Sequence, residues 1–129
     1  MSKQFVVQLK NEPGSLASLA EQLAARGVDL RAIGGGGIGD SGHVIMTTAD
    51  DETTKRVLDE GGYTYVEGES IIAEVDDRPG GMARVARELA DAGVNILGHL
   101  FLGRWGDRAM FAFVVDRPDI AKPILERKG

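Results

Sequence analysis

The chain of 129 residues contains no cysteine, which excludes disulfide bonds and thiolate chemistry. It also lacks an excess of positive charge, because its formal net charge is −5 at pH 7 and neither half carries a basic block. Nucleic acids and anionic membranes are therefore poor candidate partners. No apolar run approaches the length of a transmembrane helix, and residues 1–10 hold no apolar core of signal-peptide length. We expect a soluble, cytoplasmic protein.

Patterns typical of catalysis and metal binding are missing as well. The two histidines, His43 and His99, are far apart in sequence, and neither has a cysteine or a suitably spaced histidine nearby. A metal site is therefore not expected. There is no Gly-x-Ser-x-Gly sequence and no close His–Asp pair with a candidate serine. We predict that the protein is not an enzyme and needs no cofactor.

The glycine run over residues 34–39 fits the G-x-G-x-x-G pattern of dinucleotide-binding loops. Such a loop must lead from a strand into a helix, whereas this run leads into a hairpin signal at residues 39–42 and another strand. We expect a frayed strand end, a bulge or a mobile flap instead. The arginines at positions 84, 87, 104 and 108 are interpreted as a solvated face.

The chain repeats itself at an interval of 66 residues, the separation of Pro13 and Pro79. Asn-Glu-Pro-Gly-Ser-Leu at 11–16 and Asp-Arg-Pro-Gly-Gly-Met at 77–82 each open an amphipathic segment. Half of the sixteen positions from 13 to 28 are identical at this offset. The repeat predicts two domains, residues 1–67 and 68–129. A unit of this size buries little surface alone, so the copies should pack together or dimerise.

Both copies show the same order of predicted elements. In the first, strands are predicted over residues 5–10, 28–33, 43–48 and 63–66, with helices that end before Gly27 and at Leu58. In the second, strands are predicted over residues 71–75, 94–102 and 108–115, with helices over 80–92 and from Asp116 onward. Pro123 should kink or shorten the last helix.

The fold class that follows is α+β, with two ferredoxin-like modules of antiparallel sheets and helices on one face. The first copy has the full order βαββαβ. The second copy ends at Gly129, the counterpart of Tyr63, and so has no room for its last strand. One edge of its sheet is left open, and such an edge invites a partner.

The motif (Asn/Asp)-x-Pro-Gly-x-(Leu/Met), followed by an Ala/Leu-rich helix and Gly-Val-(Asp/Asn)-(Leu/Ile), resembles the ACT domain. The whole chain resembles a stand-alone tandem ACT protein, although the missing final strand departs from the family pattern. The resemblance implies βαββαβ modules that bind amino acids and regulate metabolic enzymes. It also implies a ligand held between two modules, by the loop residue of one and the Gly-Val-(Asn/Asp) segment of the other.

By position, the resemblance carries these roles to Asn11 and Asp29 in the first copy and to Asp77 and Asn95 in the second. If the copies pack side by side, Asn11 faces Asn95 and Asp77 faces Asp29. Amides can donate to a carboxylate and accept from an ammonium, whereas two carboxylates repel an anion. We therefore expect one working amino-acid site and one degenerate or cation-binding site. Alternatively, Asp29 and Asn95 are only turn residues before a strand.

The Pro-Gly turns have a physical interpretation of their own. Proline suits the start of a helix, and glycine lets the backbone approach a ligand closely. The first-turn N–H groups have no partner within the helix. Asn11 or Asp77 could satisfy one of them, or a bound carboxylate could. The predicted ligand-binding residues are Asn11, Pro13, Gly14, Ser15, Leu16, Asp29, Asp77, Gly80, Gly81, Met82 and Asn95.

The sequence thus favours a regulatory or sensory protein that binds a small amino acid, forms a homodimer and performs no chemistry. The alternative is a regulatory subunit that binds no ligand. Such an adaptor would dock on a metabolic enzyme through the open edge of the second sheet.

Overall fold

The computed structural model describes residues 3–126. The chain divides into two compact units, with the boundary in the sequence between Glu67 and Gly68. We call these units module 1 and module 2 in chain order. No helix among the described residues is long and apolar enough to cross a membrane.

Module 1 contains a four-stranded sheet with two helices. Its elements are β1 Lys3–Lys10, α1 Ser15–Ala25, β2 Leu30–Ile38, β3 Ser41–Thr48, α2 Asp51–Glu60 and β4 Tyr65–Glu69. The strand order is β2-β3-β1-β4, and β3 is antiparallel to both of its neighbours. Each helix therefore crosses over an intervening strand, as expected for a βαββαβ module.

The core of module 1 follows from the alternation of side chains along β1. Phe5 and Val7 are fully buried and pair with Met46 and Val44 of β3, which are buried on the same face. Leu19 of α1, together with buried residues of α2, covers them. Burial of each such side chain contributes about 1.5–3 kcal/mol relative to exposure, so this face fixes the register of β1 against β3.

Module 2 contains a three-stranded sheet with two helices. Its elements are β5 Ile71–Asp76, α3 Gly81–Asp91, β6 Ile96–Trp105, β7 Arg108–Val115 and α4 Pro118–Leu125. The strand order is β5-β7-β6, with both pairings antiparallel. No fourth strand follows α4 in the part of the chain that is described, and Gly129 lies outside it. The predicted α+β fold of two ferredoxin-like modules is confirmed.

Two local predictions were wrong. The last helix begins at Pro118 rather than Asp116, because a proline at the first helical position needs no N–H partner. The glycine run is neither frayed nor bulged: residues 34–37 pair regularly with residues 45–42 of β3. The register shift of β2 lies earlier, between Leu30 and Ala32.

Candidate functional site

A Pro-Gly corner joins the first strand to the first helix in each module. Gly14 and Gly80 are the N-cap residues of α1 and α3, with φ of 92° and 91°. Such left-handed angles favour glycine, which lacks a Cβ. Neither helix receives a side-chain cap, so the prediction that Asn11 or Asp77 caps the first turn was wrong. The N–H groups of Ser15 and Gly81 are bonded to the carbonyl oxygens of Glu12 and Arg78, so the N–H groups that follow them in each first turn are the ones available to an anion.

The loop residues are instead bonded to the hairpins of their own modules. The Nδ2 of Asn11 donates to the carbonyl oxygen of Gly39 at 2.9 Å, and its backbone N–H donates to that of Asp40. In module 2, the Nε of Arg104 donates to Asp77 Oδ2 at 2.7 Å. Each Pro-Gly corner is thus tied to the turn that follows the second strand of its sheet.

A groove of about 470 Å³ lies beside the corner of module 1, between the start of α1 and strand β2. It contains Asn11, Ser15 and Leu16 of the predicted site. It is also lined by Lys10, Glu12, Ile33, His43 and the glycine run 34–37. The structure therefore brings the loop, the helix start and the glycine run together in one concave surface.

The glycines make room for the corner. Opposite residues in an antiparallel pair point to the same face, so Gly35, opposite the core residue Val44, and Gly37 face the helices, whereas Gly36 faces away. A Cβ on Gly37 would lie 2.6 Å from the Oδ1 of Asn11. Without a side chain at this position, Asn11 can lie on β2 and reach Gly39.

The polar groups of the groove complement a zwitterion. The lining residues Lys10, Glu12, Asn11 and Ser15 carry an ammonium, a carboxylate, an amide and a hydroxyl, and Lys10 lies at the rim, since it pairs with Ser41. Within residues 3–126, neither Lys10 nor Glu12 forms an ion pair. The half-exposed side chains of Leu16 and Ile33 add an apolar wall. The sequence analysis missed Lys10 and Glu12, although both flank Asn11.

A second groove, of about 680 Å³, lies on the other flank of the same corner. Pro13, Gly14 and Ser15 line it together with Tyr63 and Thr64 from the segment before β4. It is larger, but Asn11 does not line it. We therefore take the groove over the glycine run as the candidate site.

The corner of module 2 borders a groove of about 360 Å³, lined among others by Asp77, Pro79, Met82, Arg104 and Phe111. Of the other predicted residues, Gly80 caps α3 and Gly81 is its first residue. The interpretation of Arg108 as solvated was wrong, since its side chain is largely covered and pairs with Asp76. Arg104 is exposed, as expected, and pairs with Asp77. No group of three or more metal-ligating side chains occurs among the described residues.

Asp29 lies at the opposite end of the sheet from Asn11. It precedes Leu30, which pairs with Thr48, whereas Lys10 pairs with Ser41 at the hairpin end. Its carboxylate is 3.3 Å from Arg31. One module alone therefore does not bring its two predicted polar positions together.

Asn95 closes a turn before β6. Its N–H donates to Asp116 Oδ1 at 2.8 Å, and the N–H of Asp116 donates back to its carbonyl oxygen at 3.1 Å. Asp116 thus stabilises this turn rather than starting α4. The pairings of Asn11 with Asn95 and of Asp77 with Asp29 stay predictions.

Residues 70–127 match the family model described as the ACT domain. This segment belongs to the ACT domain family. The resemblance to the ACT domain is therefore confirmed for this segment, and the Pro-Gly corner of module 2 lies within the matched residues. No curated protein matches the sequence.

Solved structures share the ACT fold over nearly the whole chain. A protein from Bacteroides thetaiotaomicron is similar with a TM-score of 0.71 at 21% identity, covering 97% of this chain and 86% of that one. The regulatory subunit of aspartate kinase from Thermus thermophilus gives 0.58 at 20% identity, covering 95% and 89%. That of Thermus flavus gives 0.61 at 18% identity, covering 96% and 90%.

Proposed function

We propose that the protein is a regulatory module that binds a small amino acid at the Pro-Gly corner of module 1. The observation that carries the proposal is the groove over the glycine run, whose lining residues include Lys10, Glu12 and Asn11 beside a helix start without a side-chain cap. A free amino acid offers the complementary carboxylate and ammonium. The dipole of α1 adds a preference for the carboxylate at the helix start.

The proposal assigns a role to each polar group. The Lys10 ammonium and the first-turn N–H groups of α1 hold the ligand carboxylate. Glu12 holds its ammonium, and Asn11 contributes the amide that either group can use. A ligand of this size should bind with micromolar to millimolar affinity, about −4 to −8 kcal/mol.

Regulation is supported by the similarity to regulatory subunits of aspartate kinase and by the ACT domain in residues 70–127. We propose that the protein acts as a homodimer, or on a metabolic enzyme, and that ligand binding shifts its arrangement. Such a shift requires that the ligand bind one arrangement more tightly than the other.

The first experiment is a thermal-shift screen of the twenty amino acids, followed by calorimetry on those that raise the Tm. We expect one or two of them to bind. Their N-acetyl and carboxamide derivatives should each bind more weakly, because each removes one of the two charges. If all derivatives bind as well as the parent, the site does not recognise a zwitterion.

Variants of the groove assign the two charges. Lys10→Ala should weaken binding of the amino acid more than binding of its carboxamide, which has no carboxylate. Glu12→Gln should weaken binding of the amino acid more than binding of its N-acetyl derivative, which has no ammonium. Glu21→Gln, on an exposed turn of α1 outside the groove, is the matched control. If Glu12→Gln and Glu21→Gln lose the same affinity for the amino acid, the effect comes from the net charge of the protein and not from Glu12 itself.

A second candidate function is a ligand-free adaptor, and one observation favours it. In module 1, β4 lies beside β1, and Tyr63 and Tyr65 pack on the core. In module 2, no described strand covers β5, and a groove of about 340 Å³ lies between β5, α3 and the end of α4. A strand of a metabolic enzyme could occupy this edge.

The adaptor is tested by covering the β5 edge with a strand from the chain's own sequence. Beyond the extra residue of β6 the two modules are offset by 67 residues, since α2 begins at Asp51 and α4 at Pro118, so a copy of residues 63–69 added after Gly129 continues in register. The extended variant should lose capture of a partner enzyme while still binding an amino acid at module 1. Unchanged capture would exclude the β5 edge as the docking surface.

A further inference from the structure

We propose that Arg104 fills the cation site at the corner of module 2 from within the chain, so that only module 1 binds ligand. The inference extends the proposed function by assigning one ligand site per chain. It concerns the acidic loop residue Asp77, which occupies the place that Asn11 has in module 1.

Two contacts hold the Arg104 guanidinium in place. Its Nε lies 2.7 Å from Asp77 Oδ2, a short charge-assisted hydrogen bond. Its Cζ lies 4.8 Å from the centroid of the Phe101 ring, within the range of a cation–π interaction. The guanidinium therefore sits between a carboxylate and an aromatic face, as the cation of a ligand would.

A β-bulge aims Arg104 at this position. The pairing of β6 with β7 shifts between Phe101 and Gly103, and Gly103 has a φ of 151°. Phe101 is opposite Phe111, and Arg104 is opposite Ala109, two residues away on the same face of β7. The extra residue in β6 thus returns Arg104 to the face of Phe101, which is a known effect of bulges.

Module 1 lacks both the bulge and the cation at the equivalent place. At the 66-residue offset Ile38 corresponds to Arg104, but the place in the sheet that Arg104 has opposite Ala109 belongs in module 1 to Gly37, opposite Gly42. Strand β2 pairs regularly from Ile33 to Ile38. Ile38 therefore lies opposite Ser41, on the face away from Gly37, and is 89% exposed. Nothing from β2 closes the groove of module 1, whereas Arg104 borders the groove of module 2 and neutralises its loop carboxylate.

A free ligand must therefore compete with Arg104 for Asp77, and Arg104 has the advantage. A ligand ammonium that approaches Asp77 must displace a guanidinium that is tethered beside it and therefore present at high effective concentration. Removal of Arg104 should leave an open surface position for an alkylguanidinium beside Asp77 and Phe101.

The test is chemical rescue of Arg104→Ala by ethylguanidinium, followed by calorimetry and by NMR of the module 2 backbone. We expect the variant to bind ethylguanidinium at least tenfold more tightly than the wild type, with the largest shifts at residues 77 and 101. Adding Asp77→Asn should abolish the gain. Arg84→Ala, which removes the same charge from an exposed position on α3, should behave like the wild type.

Because ethylguanidinium binding does not depend on an amino-acid ligand, this test is independent of the proposed function. Equal binding to the wild type and to Arg104→Ala would overturn the inference. If Arg104→Ala unfolds, the second variant is Arg104→Thr, which suits a strand and also removes the cation, and it should show the same gain in ethylguanidinium binding. Where an amino-acid ligand is found, a stoichiometry of two per wild-type chain would also overturn it.

Discussion

The Nδ2 of Asn11 lies 2.9 Å from the carbonyl oxygen of Gly39, so the residue that opens the first Pro-Gly corner is bonded to the turn between β2 and β3. In module 2 the equivalent residue, Asp77, is bonded to Arg104 near the corresponding turn. Both corners are therefore coupled to the hairpin of their own sheet. The backbone N–H of the loop residue donates to a hairpin carbonyl in both modules, of Asp40 and Asp107. The side chain of Asn11 bonds a further backbone carbonyl, whereas that of Asp77 bonds a cationic side chain.

We predict that Gly37→Ala weakens ligand binding by about fivefold or more. A methyl group at this position would lie 2.6 Å from the Oδ1 of Asn11, so the amide must move off Gly39. The loss corresponds to about 1 kcal/mol for one hydrogen bond. Calorimetry with the amino acid found in the screen measures it.

Gly36→Ala is the matched control for this prediction. Gly36 is the next residue along β2 and faces away from the groove, and a Cβ there meets nothing within 4 Å. It should bind ligand like the wild type. If the two alanine variants bind alike, Asn11 does not position the ligand.

We predict a pH-dependent contribution of Asp50 to the stability of module 1. Asp50 accepts hydrogen bonds from the hydroxyl and the N–H of Thr53 at the start of α2, and these bonds lower the pKa of its carboxyl group. Because the folded pKa is depressed, the stabilisation is present above the unfolded pKa of about 4 and is lost as the pH falls through the folded value.

Thermal denaturation of Asp50→Ala tests this. The Tm should be lower than that of the wild type at pH 7, and the difference should shrink as the pH falls below about 4. Asp50→Asn keeps an uncharged acceptor, so it should retain part of the cap without the pH dependence. A difference between wild type and Asp50→Ala that is constant with pH would contradict the assignment.

We predict an unusually basic titration of Tyr65. Its hydroxyl donates to Asp59 Oδ1 at 2.6 Å, and this hydrogen bond, with burial and the Asp59 charge, raises the pKa of Tyr65 to about 12. The hydrogen bond therefore stabilises the fold below the unfolded pKa of about 10, and this contribution is lost as the pH rises through about 12.

Absorbance at 295 nm measures the titration in a Tyr63→Phe background, where Tyr65 is the only tyrosine left of two. Asp59→Ala should move the midpoint down toward about 10. A midpoint that does not respond to Asp59→Ala would show that the carboxylate has no part in it.

We predict that Thr54→Val lowers the free energy of unfolding by about 1–3 kcal/mol, measured by urea denaturation. Thr54 is fully buried, and its Oγ1 lies 2.7 Å from Thr48 Oγ1 and 2.8 Å from the carbonyl oxygen of Asp50. The valine leaves a buried hydroxyl of Thr48 without this partner.

The double variant Thr48→Val/Thr54→Val is the comparison. Its loss of unfolding free energy should be smaller than the sum of the losses in the two single variants, because both hydroxyls are removed together. Module 2 has Val115 and Ala121, both buried, at the two structurally equivalent positions, which indicates that an apolar pair fits this place in the fold. Strict additivity would contradict a direct bond between the threonines.

The fold was largely predictable from local features. Alternation of apolar residues located β1 and β3, and the Pro-Gly motif located the start of each first helix. The start of α4 was misplaced because Asp116 is typical of a helix cap, but its carboxylate is already bonded to the N–H of Asn95. Competition between two local partners for one carboxylate cannot be decided from residue types.

The candidate site was predictable only in part. Asn11, Ser15 and Leu16 were expected to lie together, and they line one groove. The glycine run was considered as a flap over the ligand, but its contact with the loop was not predicted, since that contact depends on Asn11 lying across Gly37. That contact is between the loop after β1 and the edge strand β2. The hydrophobic periodicity of neither segment predicts it.

By itself, the sequence determined the repeat, the order of the elements and the places where glycine must follow proline, because these depend on local spacing and backbone angles. Only the tertiary structure decided which corner is open. Ile38 and Arg104 are equivalent in the repeat, yet they point to opposite faces of their sheets. The face of a strand residue depends on the register of pairing, and a shift of one residue reverses it.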